Sequence, residues 1–487
     1  MRSHFLLPWR AVVGGSAALV FLLLPGCVGP VKPPDVAAIA SQAASVRNAI
    51  RFETEGGSID APGETPSSLT VEAATMRALA NSPEIQAALA RVRAAEADAR
   101  QARLLPNPIV SITVRPRFGP ESAIISPAIS EDLISILERP RSASAADHRL
   151  RAASGEALAE VLNTLAEVQE RYADVQAGEA QLAVLGERRK LLDRLLGLAR
   201  ARLKAGEGSR LDVTTVEAQS ENLQFEIAQQ GIDLNEARLS LARLIGQPGG
   251  RTDWQLSPWA PPPHIDSAQR AWLACALRSR PEIQSGIWEL SALGDDLALA
   301  RFAPWEGATI GVESERDLEW SVGPSVSFPL PLFDMGQEKK VKAVAAVIEG
   351  RHKLTQTKRQ VVEEVRKAYD TFTATQAVLS DARSKLLPLQ QAQQRLAEAT
   401  YQAGESDLTT LLVAQESLED TNAKLVEFEQ KTAVAFVRLQ RAAGGPGAAA
   451  TLVRADSQPS TAPSTAGPPA TGSSSIRPTS STEPDAK

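Results

Sequence analysis

The sequence predicts a mainly α-helical fold with a small β part, built twice over from one large unit. Self-similarity is the first reason. "SPEIQ" at Ser82–Gln86 returns as "RPEIQ" at Arg280–Gln284, an offset of 198 (280 − 82). The same offset aligns "ARLLP" (Ala102–Pro106) with "ARFAP" (Ala300–Pro304), and "KAGE" (Lys204–Glu207) with "QAGE" (Gln402–Glu405). A register kept this long marks duplication of a large unit rather than a short solenoid repeat. Hydrophobic period is the second reason: long stretches place apolar residues every three and four positions, and short ones alternate at every second. Composition is the third. Aromatics are 4% and the hydrophobic class 43%, much of it Ala and Leu, which suits close helix packing better than a bulky globular core.

The elements follow in order. Arg2 and Arg10 precede or border the apolar run Ala11–Leu24, too short to span a membrane, so 1–26 reads as an export signal. It ends in "LPGC", which resembles a bacterial lipobox and marks Cys27 for lipid attachment. Val28 stands where an aspartate would favour the inner membrane, so the outer membrane is expected. Residues 27–66 read as a lipidated, extended N-terminal arm.

The first unit spans 67–247. Helix begins near Leu69, with Ser82 as cap and Pro83 in a first turn. A hairpin is expected over 107–137. Val110, Ile112 and Val114 alternate with Ser111, Thr113 and Arg115, and a weaker strand spans roughly 122–137, ending in "ISIL". Between Pro140 and Pro248 there is no proline, and a 3.5-residue seam runs from Val161 through Leu165, Val168, Tyr172 and Val175 to Leu203. One helix from Arg141 to Lys204 would be about 95 Å long at ~1.5 Å per residue. It breaks at "KAGEGSRLDV", where glycine permits the turn and Ser209 or Asp212 can cap a returning helix.

After a linker, 248–265, the second unit covers 266–444. Its hairpin, 308–333, sets Ile310 and Val312, then Trp320, Val322, Val326 and Phe328, against Gly, Ser and Glu. Pro388 predicts a kink or an extra short helix, and "QAGESDLTTL" is the second tip. The tail, 445–487, is rich in Ser, Thr, Pro, Gly and Ala and reads as disordered.

Four strands with one apolar and one polar face suit a barrel wall between lipid and water. An open sheet cannot persist in a bilayer, because its edge amides and carbonyls stay unsatisfied. Closure takes about eight strands at least. One chain cannot supply them, whereas three supply twelve (3 × 4), so a homotrimer with a twelve-stranded transmembrane β-barrel is expected. The coiled-coil hairpins would continue that wall as an α-barrel reaching on the order of 100 Å into the periplasm.

Other classes find little footing. The formal charge of −6 offers no basic surface for nucleic acid. Two cysteines, Cys27 and Cys275, make no disulfide framework, and four histidines fall in no metal-ligand spacing. No nucleophile elbow, Walker loop or dinucleotide fingerprint occurs. No catalytic residue, metal site or cofactor is expected.

The paired "SPEIQ" and "RPEIQ", the "CVGPVKPP" start, "PLPLFDMGQ" (Pro329–Gln337) and the "AGE" tips followed by "EAQ" (Glu217–Gln219) and "VAQ" (Val413–Gln415) carry a resemblance. Their order from Leu69 to Gly444 resembles the outer-membrane efflux proteins, the TolC-like outer-membrane factors, in their lipoprotein branch. The resemblance implies a trimeric conduit of α-barrel and β-barrel. It docks onto a periplasmic adaptor and an inner-membrane transporter, expected to be proton-driven, and exports small molecules. It further implies a periplasmic gate at Arg210, Asp212 and Asp407, with Arg210 paired to an acid such as Asp407. Adaptor docking falls to the tips Gly206, Glu207, Gly404 and Glu405. Where the family often places a carboxylate beyond the second tip, Thr410 and Val413 stand here and the nearest acid is Glu416. A type I protein-secretion conduit and a non-pore periplasmic scaffold remain open as alternatives.

Overall fold

A computed structural model of the protein describes residues 52, 54, 56, 58–60, 67–116, 123–259, 265, 267–316 and 319–456. The expected export signal, Cys27, most of the N-terminal arm and the chain beyond 456 lie outside the described residues.

The first unit opens with β1 (Ser68–Leu69), α1 (Val71–Asn81) and α2 (Pro83–Gln101). Ser82 Oγ accepts from the Ile85 amide at 3.3 Å, and Pro83, with no amide to lose, takes the first turn of α2. Strands β2 (Ile109–Arg115) and β3 (Ile124–Asp132) follow. The second strand stops short of the expected 137. Asp132 accepts from the Ile134 and Ser135 amides at 2.9 and 3.1 Å, so the chain turns helical at Leu133 and "ISIL" lies in the first turns of a helix. That helix, α3 (Leu133–Ala205), is one rod of 73 residues, about 110 Å at ~1.5 Å per residue, and it runs through Pro140. Helix α4 (Arg210–Leu244) returns beside it.

The second unit repeats the order after β4 (Gln255–Leu256): α5 (Gln269–Ser279), α6 (Pro281–Leu299), β5 (Thr309–Arg316) and β6 (Trp320–Ser327). Then come α7 (Gln337–Asp381), α8 (Leu387–Gln402) and α9 (Leu408–Ala442). The interruption expected at Pro388 is a π turn, Ala382–Leu386, between α7 and α8. It takes up a one-residue difference between the units. Tyr172 donates from its hydroxyl to Leu69 O at 2.8 Å, and Tyr369 donates to Ser267 O at 3.2 Å. Those acceptors stand 198 apart (267 − 69), the tyrosines 197 (369 − 172), and the tips 198 again (402 − 204). The second unit therefore has one extra residue between tyrosine and tip, which a π turn absorbs within the helix.

Two segments differ from expectation. The linker holds β4, which pairs parallel with β1, and beside it the buried Trp254. Residues Pro446–Asp456, expected to be disordered, form α10. Its Ala449 is fully buried in a cluster with Trp272 and Leu439. A small-residue turn can pack when the opposing surface supplies the bulk.

Towards the hairpins, α2, α3, α6 and α7 lie side by side; towards the tips the order is α7/α8, α9, α3, α4. The short elements pack on one face of this layer, around Tyr172 and Trp254 in the first unit and Trp272 and Phe372 in the second. At the junction, Arg280 and Arg441 tie the layer together. Arg280 Nη1 donates to Arg441 O at 3.2 Å and its other terminal nitrogen binds Glu364. Arg441 donates to Glu282 at 2.5 Å and to Asn163 at 2.8 Å. Burial pushes the Glu282 carboxyl up, but Arg441 and Arg280 outweigh it and hold it below its usual 4.5. A depressed carboxylate stabilises the fold above its unfolded pKa, and that stability is lost as pH falls through the folded value. Thermal stability is therefore expected to hold down to about pH 5 and decline below ~4.5. Glu282→Gln should flatten part of that decline in melting curves while lowering stability at neutral pH.

Candidate functional site

The two hairpins join edge to edge into one antiparallel sheet of order β2–β3–β5–β6. Register sorts its faces. Val110 lies beside Ile129, Ile129 beside Val312 and Val312 beside Pro324; Ile112 pairs with Pro127, and Ser314 with Val322. This face is apolar yet open: Val110, Ile112, Val114, Val322 and Val326 are 57% to 71% exposed. The opposite face has Ser111, Ala128, Glu313 and Gly323 in one row, and Thr113 with Ser126 and Glu315 with Ser321 in the next. Register puts Gly311 on that side too, and a Cβ there would run into the Ile129 carbonyl oxygen.

An apolar face outside and a polar one inside is the arrangement of a barrel wall holding water from lipid. Eight residues at ~3.3 Å rise, tilted about 40°, stand roughly 20 Å tall, close to an outer-membrane apolar band. Among the described residues no helix is long and apolar enough to cross a membrane. The outer edges of β2 and β6 pair with nothing among the described residues.

At the far end of the rods lie the two tips. Gly206 and Gly404 adopt φ of +82° and +76°, and a Cβ on either would meet open space. Glycine serves the backbone here, ending α3 and α8 in the left-handed conformation. Glu207 and Glu405 close the turns through their amides, to Arg202 O and Thr400 O, each at 2.9 Å, and their side chains are exposed. Asp212 completes a capping box with Ser209, and Asp407 accepts from the Thr410 amide at 2.9 Å and its hydroxyl at 2.5 Å. The hydroxyl bond of Thr410, with its amide, holds the Asp407 carboxyl below the usual range. Arg210 is exposed and makes no ion pair within the protomer among the described residues. The structure thus brings both aspartates to helix N-termini and leaves Arg210 and Asp407 unpaired with each other.

The contacts that do join the two hairpins near the tips are others. The Arg202 guanidinium lies 4.7 Å from the centroid of the Tyr401 ring and donates to Tyr401 O at 3.3 Å. Further up, Arg188 bridges Glu226 at 2.8 Å and Glu419 at 2.6 Å, and Gln415 of "VAQ" donates to Glu419 at 2.6 Å. Burial pushes the Glu419 carboxyl up despite these partners. The visible signal was modest: Tyr401 is one of three tyrosines in the chain, and it falls two residues before the second "AGE".

Comparison with known proteins agrees with this geometry. The outer membrane efflux protein family matches residues 75–247 and again 272–445, once per unit. The cobalt-zinc-cadmium resistance protein CzcC of Cupriavidus metallidurans is 22% identical over 402 residues, covering 79% of this chain and 92% of that protein. Among solved structures, the outer-membrane channel OprN superposes with a TM-score of 0.66 at 20% identity, over 78% of this chain and 90% of OprN. The outer membrane protein VceC of Vibrio cholerae gives 0.65 at 20% identity, over 77% and 96%. Family members are channels rather than enzymes. Matched in both units and carrying the two-faced sheet on a periplasmic helical stem, the chain belongs to the outer membrane efflux protein family, as the outer-membrane channel of an efflux system.

Proposed function

We propose that the working form is a homotrimer in which β6 of each protomer pairs with β2 of the next. Twelve strands (3 × 4) then close with no free edge, satisfying the backbone groups that lipid would otherwise strand. The open edges of the four-stranded sheet carry this reading. The helical layer supports it, because its outermost helices expose apolar stripes. On α4, Leu211, Phe225, Ile232 and Leu239 recur at multiples of seven; on α8, Leu389 and Leu396 do the same. A heptad stripe on one edge and another on the opposite edge suits coiled-coil contact between copies.

In this reading Cys27 anchors the lipidated N-terminus in the outer membrane. The tips, with Gly206, Glu207, Gly404 and Glu405, dock a periplasmic adaptor that links the conduit to an inner-membrane, proton-driven transporter. The transporter selects the cargo, which the conduit passes as small molecules. The entrance is held shut by the Arg202–Tyr401 contact and the Arg188 bridges, and Arg210 is free to reach a carboxylate of a neighbouring protomer. With the Tyr401 ring buried and the Arg202 side chain half-exposed, the cation–ring contact contributes about 1 kcal/mol. Three copies together shift the closed-to-open ratio about a hundredfold, at ~1.4 kcal/mol per tenfold.

Single-channel recording of purified protein in planar bilayers tests both statements. A small resting conductance is expected for the native protein, rising severalfold for Arg202→Ala. A protein that never conducts defeats the channel assembly; native-like closure of Arg202→Ala defeats this gate.

A further inference from the structure

Midway along the rods, α3, α7 and α9 part around a groove of about 750 Å³. It lies on the bare face of the helical layer. Helix α3 turns Tyr172 and Val175 toward the short elements, and at about 100° per residue Glu170 and Asp174 point the other way, into the groove.

The lining is unusual for this chain. Its floor is small and apolar: Ala166, Ala368, Val434 and Ala435. Arg171, Lys367, Lys431 and Arg438 stand on the rim, with Arg280 and Arg441 below them. Against these six cations stand Glu170, Asp174 and Glu364 in the lining, with Glu427 on Lys431 and Glu282 on Arg441 just outside it, leaving a net charge of +1 (6 − 5) in a protein of formal charge −6. Five of the six are answered: Arg438 grips Glu170 at 2.8 and 3.0 Å, Arg171 reaches Asp174 at 3.1 Å, Lys431 binds Glu427, and Arg280 and Arg441 hold Glu364 and Glu282. Lys367 is exposed and pairs with no carboxylate among the described residues. Beneath the rim, Arg441 Nη1 is buried without a hydrogen-bond acceptor. So is Arg280 Nε, which lies 3.4 Å from Glu282 without hydrogen-bond geometry, on a side chain only 6% exposed.

We infer that this groove binds amphiphilic organic anions, such as aromatic carboxylates. The apolar body rests on the alanine and valine floor, and the carboxylate lies among Lys367, Lys431 and Arg438. Concave, mostly apolar surfaces with a few convergent polar groups are what small-molecule sites are made of, and the charge selects the sign of the ligand. In the trimer the bare face looks into the passage, so each wall carries a station for anionic cargo. That role rests on the trimeric reading, although the lining itself comes from one chain.

Equilibrium dialysis of 2-naphthoate against the full-length protein in zwitterionic lipid nanodiscs, with empty nanodiscs subtracted, tests it. Saturable binding of one naphthoate per chain is expected. Affinity should fall at least tenfold in Lys367→Glu and in Arg438→Glu, with circular dichroism unchanged, and 2-naphthylmethylammonium should not bind saturably. Absence of naphthoate binding, affinity unmoved in both variants, or equal uptake of the ammonium compound would overturn the inference. A conducting trimer that binds no naphthoate rejects the groove and keeps the conduit; monomers that bind it reject the trimer and keep the groove.

Discussion

Arginine at Ile112 is expected to abolish assembly in the outer membrane, while arginine at Thr113, one residue along, is expected to be tolerated. Both positions are in the middle of β2 and both are exposed in the protomer. They differ only in face: Ile112 pairs with Pro127 on the apolar side, and Thr113 with Ser126 on the polar side. An arginine facing lipid near mid-membrane costs about 2–4 kcal/mol per copy. Three copies cost roughly 6–12 kcal/mol, comparable to the whole stability of a typical domain. An arginine facing the watery lumen carries no such cost and should alter conductance and ion preference instead. Fractionation of outer membranes, with conductance of whatever assembles, reads the result. Equal assembly of the two variants would mean that the strands do not divide lipid from water.

Aspartate at Phe225 is expected to leave the protomer folded and prevent it from trimerising. Phe225 is 74% exposed on α4 and contributes nothing to the protomer's buried clusters. In the proposed trimer it lies under α7 or α8 of the neighbour. Covering a phenylalanine stabilises by about 1.5–3 kcal/mol, so three interfaces lose on the order of 5–9 kcal/mol before the carboxylate's own desolvation is counted. Sedimentation of detergent-solubilised protein should show single chains with native helical content. A stable trimer of Phe225→Asp would remove α4 from the interface.

Much of the architecture was legible because it rests on local rules. Alternation in "NPIVSITVRPRF" and "EWSVGPSVSFPL" named both faces of the sheet, and the glycines of "KAGE" and "QAGE" named both tips. The end of β3 was misplaced because "ISIL" reads equally well as strand or helix; the cap at Asp132 decides it. Long-range pairings were the hard part. Arg202 and Tyr401 meet only because two hairpins lie side by side, and no periodicity encodes that. The same holds for Arg280. In the first unit this position is Ser82, a helix cap, while in the second it is a buried guanidinium bound to Glu364. Asp212 and Asp407, which the family resemblance assigned to a gate, each cap the N-terminus of a helix, a local role that "GSRLD" and "SDLTT" already spell. The π turn had been visible in principle, as a slip from 198 to 197 between Tyr172 and Tyr369.

Counting the chains in one lipid-embedded particle tests the central idea most directly, and native mass spectrometry of protein released from nanodiscs does so. Three chains per particle are predicted, since a single sheet leaves both rims unbonded in hydrocarbon. Single chains, stably inserted with β2 and β6 unpartnered, would contradict the account.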